Sequence, residues 1–159
     1  MKIEFEELTH SNFADACRID RDDIPESYVD TAETLMEITD YGVEHHCMGH
    51  TFAAKANGRY VGLLLLGEAI PWETDPPEMR GVPFYRLMCF VMGREYRGMG
   101  IGSAALEAAV REVYREFGPR PIALGVHKDN LGAERFYIRH GFQKTAYMEG
   151  NDYYFLRFL

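Results

Sequence analysis

The stretch Arg97-Gly98-Met99-Gly100-Ile101-Gly102-Ser103 stands between two very different runs. Before it, Phe84 to Met92 is nearly all apolar, which predicts a fully buried strand. After it, Leu106, Val110, Val113 and Phe117, with Ala105 and Ala109 beside them, recur at helical spacing until Gly118-Pro119 stops them. A glycine turn leading from a buried strand into a helix is a natural anion cradle. The first N–H groups of the helix have no partner and carry partial positive charge, and glycine lets the backbone come close to a ligand. Ser103 adds a hydroxyl at the same end. A tight turn without a ligand would use the same glycines, so the surrounding chain has to decide between the two.

Two phosphate-binding patterns can be tried on these residues. Gly100-x-Gly102-x-x-Ala105 formally fits a dinucleotide fingerprint, but that motif expects an acidic residue at the end of the next strand. The next predicted strand, Ile122 to Val126, ends in His127-Lys128. A nucleoside-triphosphate loop needs Gly-Lys-Ser/Thr, and the turn has no lysine.

Upstream, Ile3, Phe5 and Leu8 roughly alternate with acids as in an edge strand, and Thr9 to Ser11 offer a helix cap. Phe13, Ala16, Cys17 and Ile19 then suit a helix running toward the break at Pro25. Ala32, Leu35, Met36, Ile38 and Val43 suit a second. Thr51 to Ala56 and Tyr60 to Leu66, joined by Asn57-Gly58, predict a hairpin of mid-sheet strands, because Asn-Gly supplies the positive φ angles of a two-residue turn. Gly67 to Pro83, with Pro71, Pro76, Pro77 and Pro83, reads as a long loop of the kind that often carries function. Downstream, Leu131 to His140 predicts a helix closed by Gly141. Ala146 to Met148 and Tyr153 to Phe158 predict a pair of strands.

The turn and its downstream context resemble the GCN5-related N-acetyltransferases, the GNAT family. Their signature Arg/Gln-x-x-Gly-x-Gly/Ala appears here as Arg97-x-x-Gly100-x-Gly102. Their second block appears as Asn130-x-x-Ala133-x-x-Phe136-Tyr137-x-x-x-Gly141-Phe142. The ending Asp152-Tyr153-Tyr154-Phe155 is similar too, so the resemblance spans nearly the whole chain as one domain, residues 1–159. One departure is Arg94, where the family often has proline. The resemblance implies an α/β fold with a mixed, mostly antiparallel sheet flanked by about four helices. It also implies acetyl-CoA as co-substrate, with no metal. Carried over by position, backbone groups of Phe90, Val91 and Met92 pair with the pantetheine arm. Amides from Gly98 through Met99, Gly100, Ile101 and Gly102 to Ser103 hold the pyrophosphate. Arg97 lies at the edge of the phosphates, Asn130 bonds the pantetheine, and Tyr137 is the general acid.

Elementary chemistry agrees with these roles. Attack of a neutral amine on a thioester builds charge on the carbonyl oxygen, which a preorganised N–H stabilises. A thiol of pKa about 8.5 then leaves, and a phenol near 10 can deliver its proton at modest cost. Without the resemblance, Tyr137 reads as a core aromatic on the apolar face with Ala133, Phe136 and His140. An alkylamine near 10.4 must lose a proton before attack. For the base, Glu68, Glu44 and a chain of waters stay open.

Charge bounds the partners. Residues 1–90 carry 17 acidic and 7 basic side chains, net −10, whereas residues 91–159 are net +2. That balance disfavours nucleic acid. The segment Asp15–Glu44 holds ten acids against Arg18 and Arg21, and Glu68, Glu73, Asp75 and Glu78 sit in or beside the long loop. The resemblance implies that this region flanks the acceptor cleft, where an acidic wall favours a small cationic amine as acceptor through an attraction that salt screens. Solvated helix faces would show the same pattern. A protein lysine or N-terminal acetyltransferase, and a non-catalytic acetyl-CoA-binding regulatory module, are the alternatives. Cys17, Cys47 and Cys89 suggest buried thiols in a reducing compartment rather than disulfides. His45-His46-Cys47-x-x-His50 matches no zinc spacing. No apolar run reaches the length of a membrane span and the start lacks a secretory layout, so a cytoplasmic location away from membranes is expected. The oligomeric state stays open, a homodimer included.

Overall fold

The computed structural model describes residues 2–159. Its elements run β1 (Glu4–Glu7), α1 (Phe13–Ala16), α2 (Ala32–Glu44), β2 (Gly49–Ala56), β3 (Arg59–Glu68), β4 (Tyr85–Met92), α3 (Ile101–Phe117), β5 (Ile122–His127), α4 (Leu131–Arg139), β6 (Gln143–Glu149) and β7 (Asp152–Arg157). Short 3-10 turns lie at Pro77–Met79 and Arg94–Tyr96. The seven strands form one sheet in the order β1-β2-β3-β4-β5-β7-β6, antiparallel everywhere except between β4 and β5. Among the described residues no helix is long and apolar enough to cross a membrane.

Both faces of the sheet are covered, which is why β3 and β4 are apolar without alternation. On one face Leu64, Leu66, Tyr85 and Leu87 pack with Leu106, Val110 and Val113 of α3. On the other, Leu63, Ala53 and Val91 pack with Leu35 and Met36 of α2 and Ala16 of α1. The hairpin turn forms as expected, with Asn57 at φ 51° and Gly58 at φ 78°.

Two expectations need correcting. The first helix is a single turn, Phe13–Ala16, because the aspartates beyond it favour local turns: the Asp22 amide donates to Asp20 Oδ1 at 3.1 Å. The region up to Val29 is therefore irregular chain. The long loop also begins later than expected, since β3 continues through Gly67 to Glu68, paired with Tyr85 and Arg86 of β4.

Two features of β4 open and shape a cavity. Its parallel pairing with β5 is confined to Tyr85 opposite Ile122 and Arg86 opposite Ala123, after which the strands part. Farther along, β4 carries an extra residue: Met88 faces Leu65 and Val91 faces Leu63, with Cys89 between them at φ 54°. This is a β-bulge, a device that re-aims side chains beside active sites.

Candidate active site

The parting of β4 and β5 leaves a cavity of about 620 Å³. Of the residues singled out in the sequence, Phe90, Val91, Met92, Arg97, Gly102, Asn130 and Tyr137 line it. Gly98, Met99, Gly100, Ile101 and Ser103 do not: Ile101 is buried against Met92, Ala54 and Val61, and Met99 is exposed.

At the turn, Gly98 and Gly100 both stand at φ 77°, and a Cβ added to either would meet open space. Gly100 is the residue before the first turn of α3, and no side chain caps that end. The free amides of the helix start therefore face outward beside a bare backbone. Gly102 differs, having ordinary helical geometry. A Cβ there would touch Met92 at 3.5 Å and Phe136 at 3.9 Å. The Ser103 hydroxyl is engaged: His140 Nε2 lies 2.9 Å from it, His140 Nδ1 lies 3.0 Å from Glu107, and Glu107 pairs with Arg157 at 3.0 Å. Sequence reading missed this chain. Only its Ser103/Glu107 half was visible, as an i, i+4 pair on one helix face.

Arg97 folds back toward β4. Its Nε donates to the Met92 carbonyl at 3.0 Å, and its Nη1 pairs with Asp23 from the loop after α1. The Arg97 hydrogen bond holds the Asp23 carboxyl below the usual carboxylate range. Asn130 caps α4, its Oδ1 accepting from the Ala133 amide at 3.3 Å. Tyr137, half-buried on α4, rests edge-on against Phe136 and Phe142. Burial pushes its hydroxyl pKa up, so the group stays protonated.

The far end of the cavity is made of side chains. Arg86, buried on β4, donates through Nη2 to both oxygens of Asp75 at 2.8 Å and to the Ile70 carbonyl at 2.8 Å. Trp72 covers its guanidinium at 3.7 Å, and the Tyr154 hydroxyl donates to Asp75 at 3.0 Å. The long loop is thereby pinned to the sheet and Trp72 becomes a wall of the cavity. Burial foremost raises the Tyr154 phenol to about 12.

Only Asp23, Glu26 and Asp30 of the ten acids between Asp15 and Glu44 reach the cavity, joined by Glu149 and Asp152 from the other end of the chain. Glu44 and Glu68 do not line it; the Glu68 carboxylate is turned onto the Met48 amide at 2.7 Å. Glu73 and Glu78 also lie outside, and Asp75 is spent on Arg86. Cys89 lines the cavity, but burial first of all raises its thiol to about 12, which does not suit a nucleophile. The histidine cluster disperses, with His45 stacked on Tyr41 and His50 bridging Glu7 and Glu116.

The acetyltransferase (GNAT) family model matches residues 13–142. No curated protein matches the chain in sequence. Among solved structures the chain is similar to the PaiA N-acetyltransferase of Thermoplasma acidophilum in complex with coenzyme A, at 18% identity and TM-score 0.72 with 100% of both chains covered. It is similar to Ard1 of Thermoplasma volcanium at 23% identity and TM-score 0.67, covering 100% of this chain and 99% of that one. A third likeness is to Arabidopsis thaliana Naa50, solved with the bisubstrate analogue CoA-Ac-MVNAL, at 19% identity and TM-score 0.64, with 98% and 97% covered.

Proposed function

Because the chain belongs to the acetyltransferase (GNAT) family, it is an N-acetyltransferase that draws its acetyl group from acetyl-CoA, and we propose that its acceptor is a small cationic amine. The cavity lining carries this reading. Five carboxylates face it, from Asp23, Glu26, Asp30, Glu149 and Asp152, and its two arginines, Arg86 and Arg97, are each already paired with an aspartate. A cavity with that balance attracts a cation and repels an anionic acceptor. Trp72, clamped on Arg86, lines the end of the cavity away from the glycine turn and gives a small acceptor an aromatic surface to rest against.

The residues also suit the coenzyme. Beyond Arg86 the β5-facing edge of β4 lacks a partner strand, so backbone groups along Phe90 to Met92 can pair with the pantetheine amides, apart from the Met92 carbonyl, which accepts from Arg97 Nε. The open space at Gly98 and Gly100, beside the uncapped start of α3, leaves room for a pyrophosphate against the amides up to Ser103. Arg97 serves the edge of that site, where Asp23 now stands in for an anion. The amide of Asn130 lies at the cavity wall within the same split.

Bound there, acetyl-CoA supplies a thioester activated toward amines. The chain's own residues do the rest. Tyr137, kept neutral by burial, donates its proton to the departing sulfur, and the same apolar surroundings favour the protonated thiol over the thiolate. Acceptor choice is tested by release of free thiol from acetyl-CoA with spermidine, an aminoglycoside, neutral and acidic amino acids and short peptides. The expected outcome is a higher kcat/KM for the cationic small molecules, falling as salt rises. Preference for an acidic amine or for peptides, or no salt dependence with spermidine, overturns the reading.

A further inference from the structure

Of the five carboxylates lining the cavity, four are exposed and Asp152 is half-buried. The four have evident occupations or lie in solvent. Asp23 holds Arg97, Glu149 accepts from Thr74, Asp30 receives the Cys89 thiol, and Glu26 is open to water. None of the protein's hydrogen bonds ends on the Asp152 carboxylate among the described residues. A half-buried carboxylate with no donor is costly to keep charged. Its place is defined by a glycine: Asp152 opens β7 beside β5, and its Oδ2 lies 3.4 Å from where a Cβ on Gly125 would stand. Gly125 itself lines the cavity, so the absence of a side chain there leaves the carboxylate facing the space where a ligand sits.

The geometry points to Asp152 as the general base that removes the proton from the acceptor's ammonium group, opposite in role to Tyr137 on the same cavity. This rests on the acetyl-transfer reading above. The proton goes from nitrogen to the Asp152 carboxylate. The freed lone pair forms the C–N bond as the C–S bond breaks, and the electron pair leaves on sulfur, which takes the Tyr137 proton. The second proton lost by the nitrogen restores Tyr137, and Asp152 releases its own to solvent, so each turnover liberates one proton.

The charged groups around Asp152 make it the suitable member of the set. His127 faces it from β5, Glu149 from β6 and Asp30 from the loop before α2. Burial foremost lifts its pKa above the usual carboxylate value, with His127 opposing and Glu149 and Asp30 adding to the rise. Carboxylates that hold a cation also make it harder to deprotonate. A base whose proton affinity is raised by the same neighbours offsets that effect.

Asp152→Asn tests the assignment with spermidine as acceptor. The expected result is a fall in kcat of about 10²-fold or more, with an unchanged thermal shift on adding acetyl-CoA. The inflection that ends the acid limb of the wild-type pH profile should vanish, and the residual rate should instead climb about tenfold per pH unit throughout as free amine accumulates. Unchanged turnover with the acid limb intact would overturn the assignment while leaving the acceptor class standing. Failure of the wild type itself to acetylate any cationic amine would remove the reading on which it rests. Carboxyl NMR of the unliganded wild type gives a check that needs no variant. The Asp152 signal should titrate above the ordinary carboxylate range, at the midpoint of the kinetic acid limb. A midpoint at or below that range overturns the assignment.

Discussion

The two ends of the cavity are built from different materials. At the glycine end the contact surface is backbone: Gly98 and Gly100 at positive φ, the uncapped amides of α3 and the unpaired edge of β4. At the far end it is side chain: Arg86 locked on Asp75 beneath Trp72, Tyr154 on Asp75, and the carboxylates of Asp30, Glu149 and Asp152. Backbone offers the same N–H and C=O groups whatever residue supplies them, so it suits a partner common to a whole family. Side chains can differ from one family member to the next, so they suit a partner specific to this protein. The first end should therefore tolerate changes of residue but not of backbone shape, and the second the reverse.

The largest expected effect lies at the far end. Asp75→Ala leaves Arg86 charged and buried, an arrangement that costs about 3–5 kcal/mol. Chemical denaturation should show that loss, and turnover of spermidine should suffer far more than coenzyme affinity. Equal losses in both would mean that the two ends are not separate. Next comes Tyr137→Phe, which keeps the ring between Phe136 and Phe142 and removes only the hydroxyl. Turnover should fall by about 10²-fold or more while coenzyme affinity holds. Retained turnover at every pH would return Tyr137 to a packing role. The smallest effect belongs to the glycine end. Gly100→Val places a β-branched residue at φ 77°, a strain of about 1–2 kcal/mol, and sets a side chain in the open space before α3. Acetyl-CoA affinity, measured by titration calorimetry, should weaken about tenfold or more. Met99→Ala beside it, which alters only an exposed side chain, should leave affinity unchanged.

The same contrast explains what could be read from the sequence. The glycine turn, the helix after it, the Asn57-Gly58 hairpin and the Asn130–Tyr137 block are signals confined to short runs of neighbouring residues, and local geometry follows local chemistry. The far end comes from segments that only the sheet brings together: Asp30, Trp72 and Asp75, Arg86, and then Glu149 to Tyr154. Nothing in Glu-Gly-Asn-Asp marks Asp152 as a base until β7 is laid beside β5, with His127 opposite and Gly125 diagonal to it. Glu68, plausible at a strand end, turned instead to the Met48 amide. Cys89 gave no warning either, because a bulge inside an apolar strand leaves the hydrophobic pattern unbroken. The helix expected from Phe13 onward failed for a local reason, the run of aspartates that offered the backbone turns in place of helical bonds.

The two-rung junction between β4 and β5 has a mechanical side. It divides one sheet into a plate of four strands and a plate of three, joined by Tyr85–Ile122 and Arg86–Ala123, by side chains gathered under α3, and by the Arg86–Asp75–Tyr154 link. Such a seam is where a sheet opens first, since local unfolding starts where the fewest backbone bonds must break. A molecule lying in the split acts as a further rung. It stiffens both plates at once, and amide exchange in β7 would slow even though the occupant lies along β4.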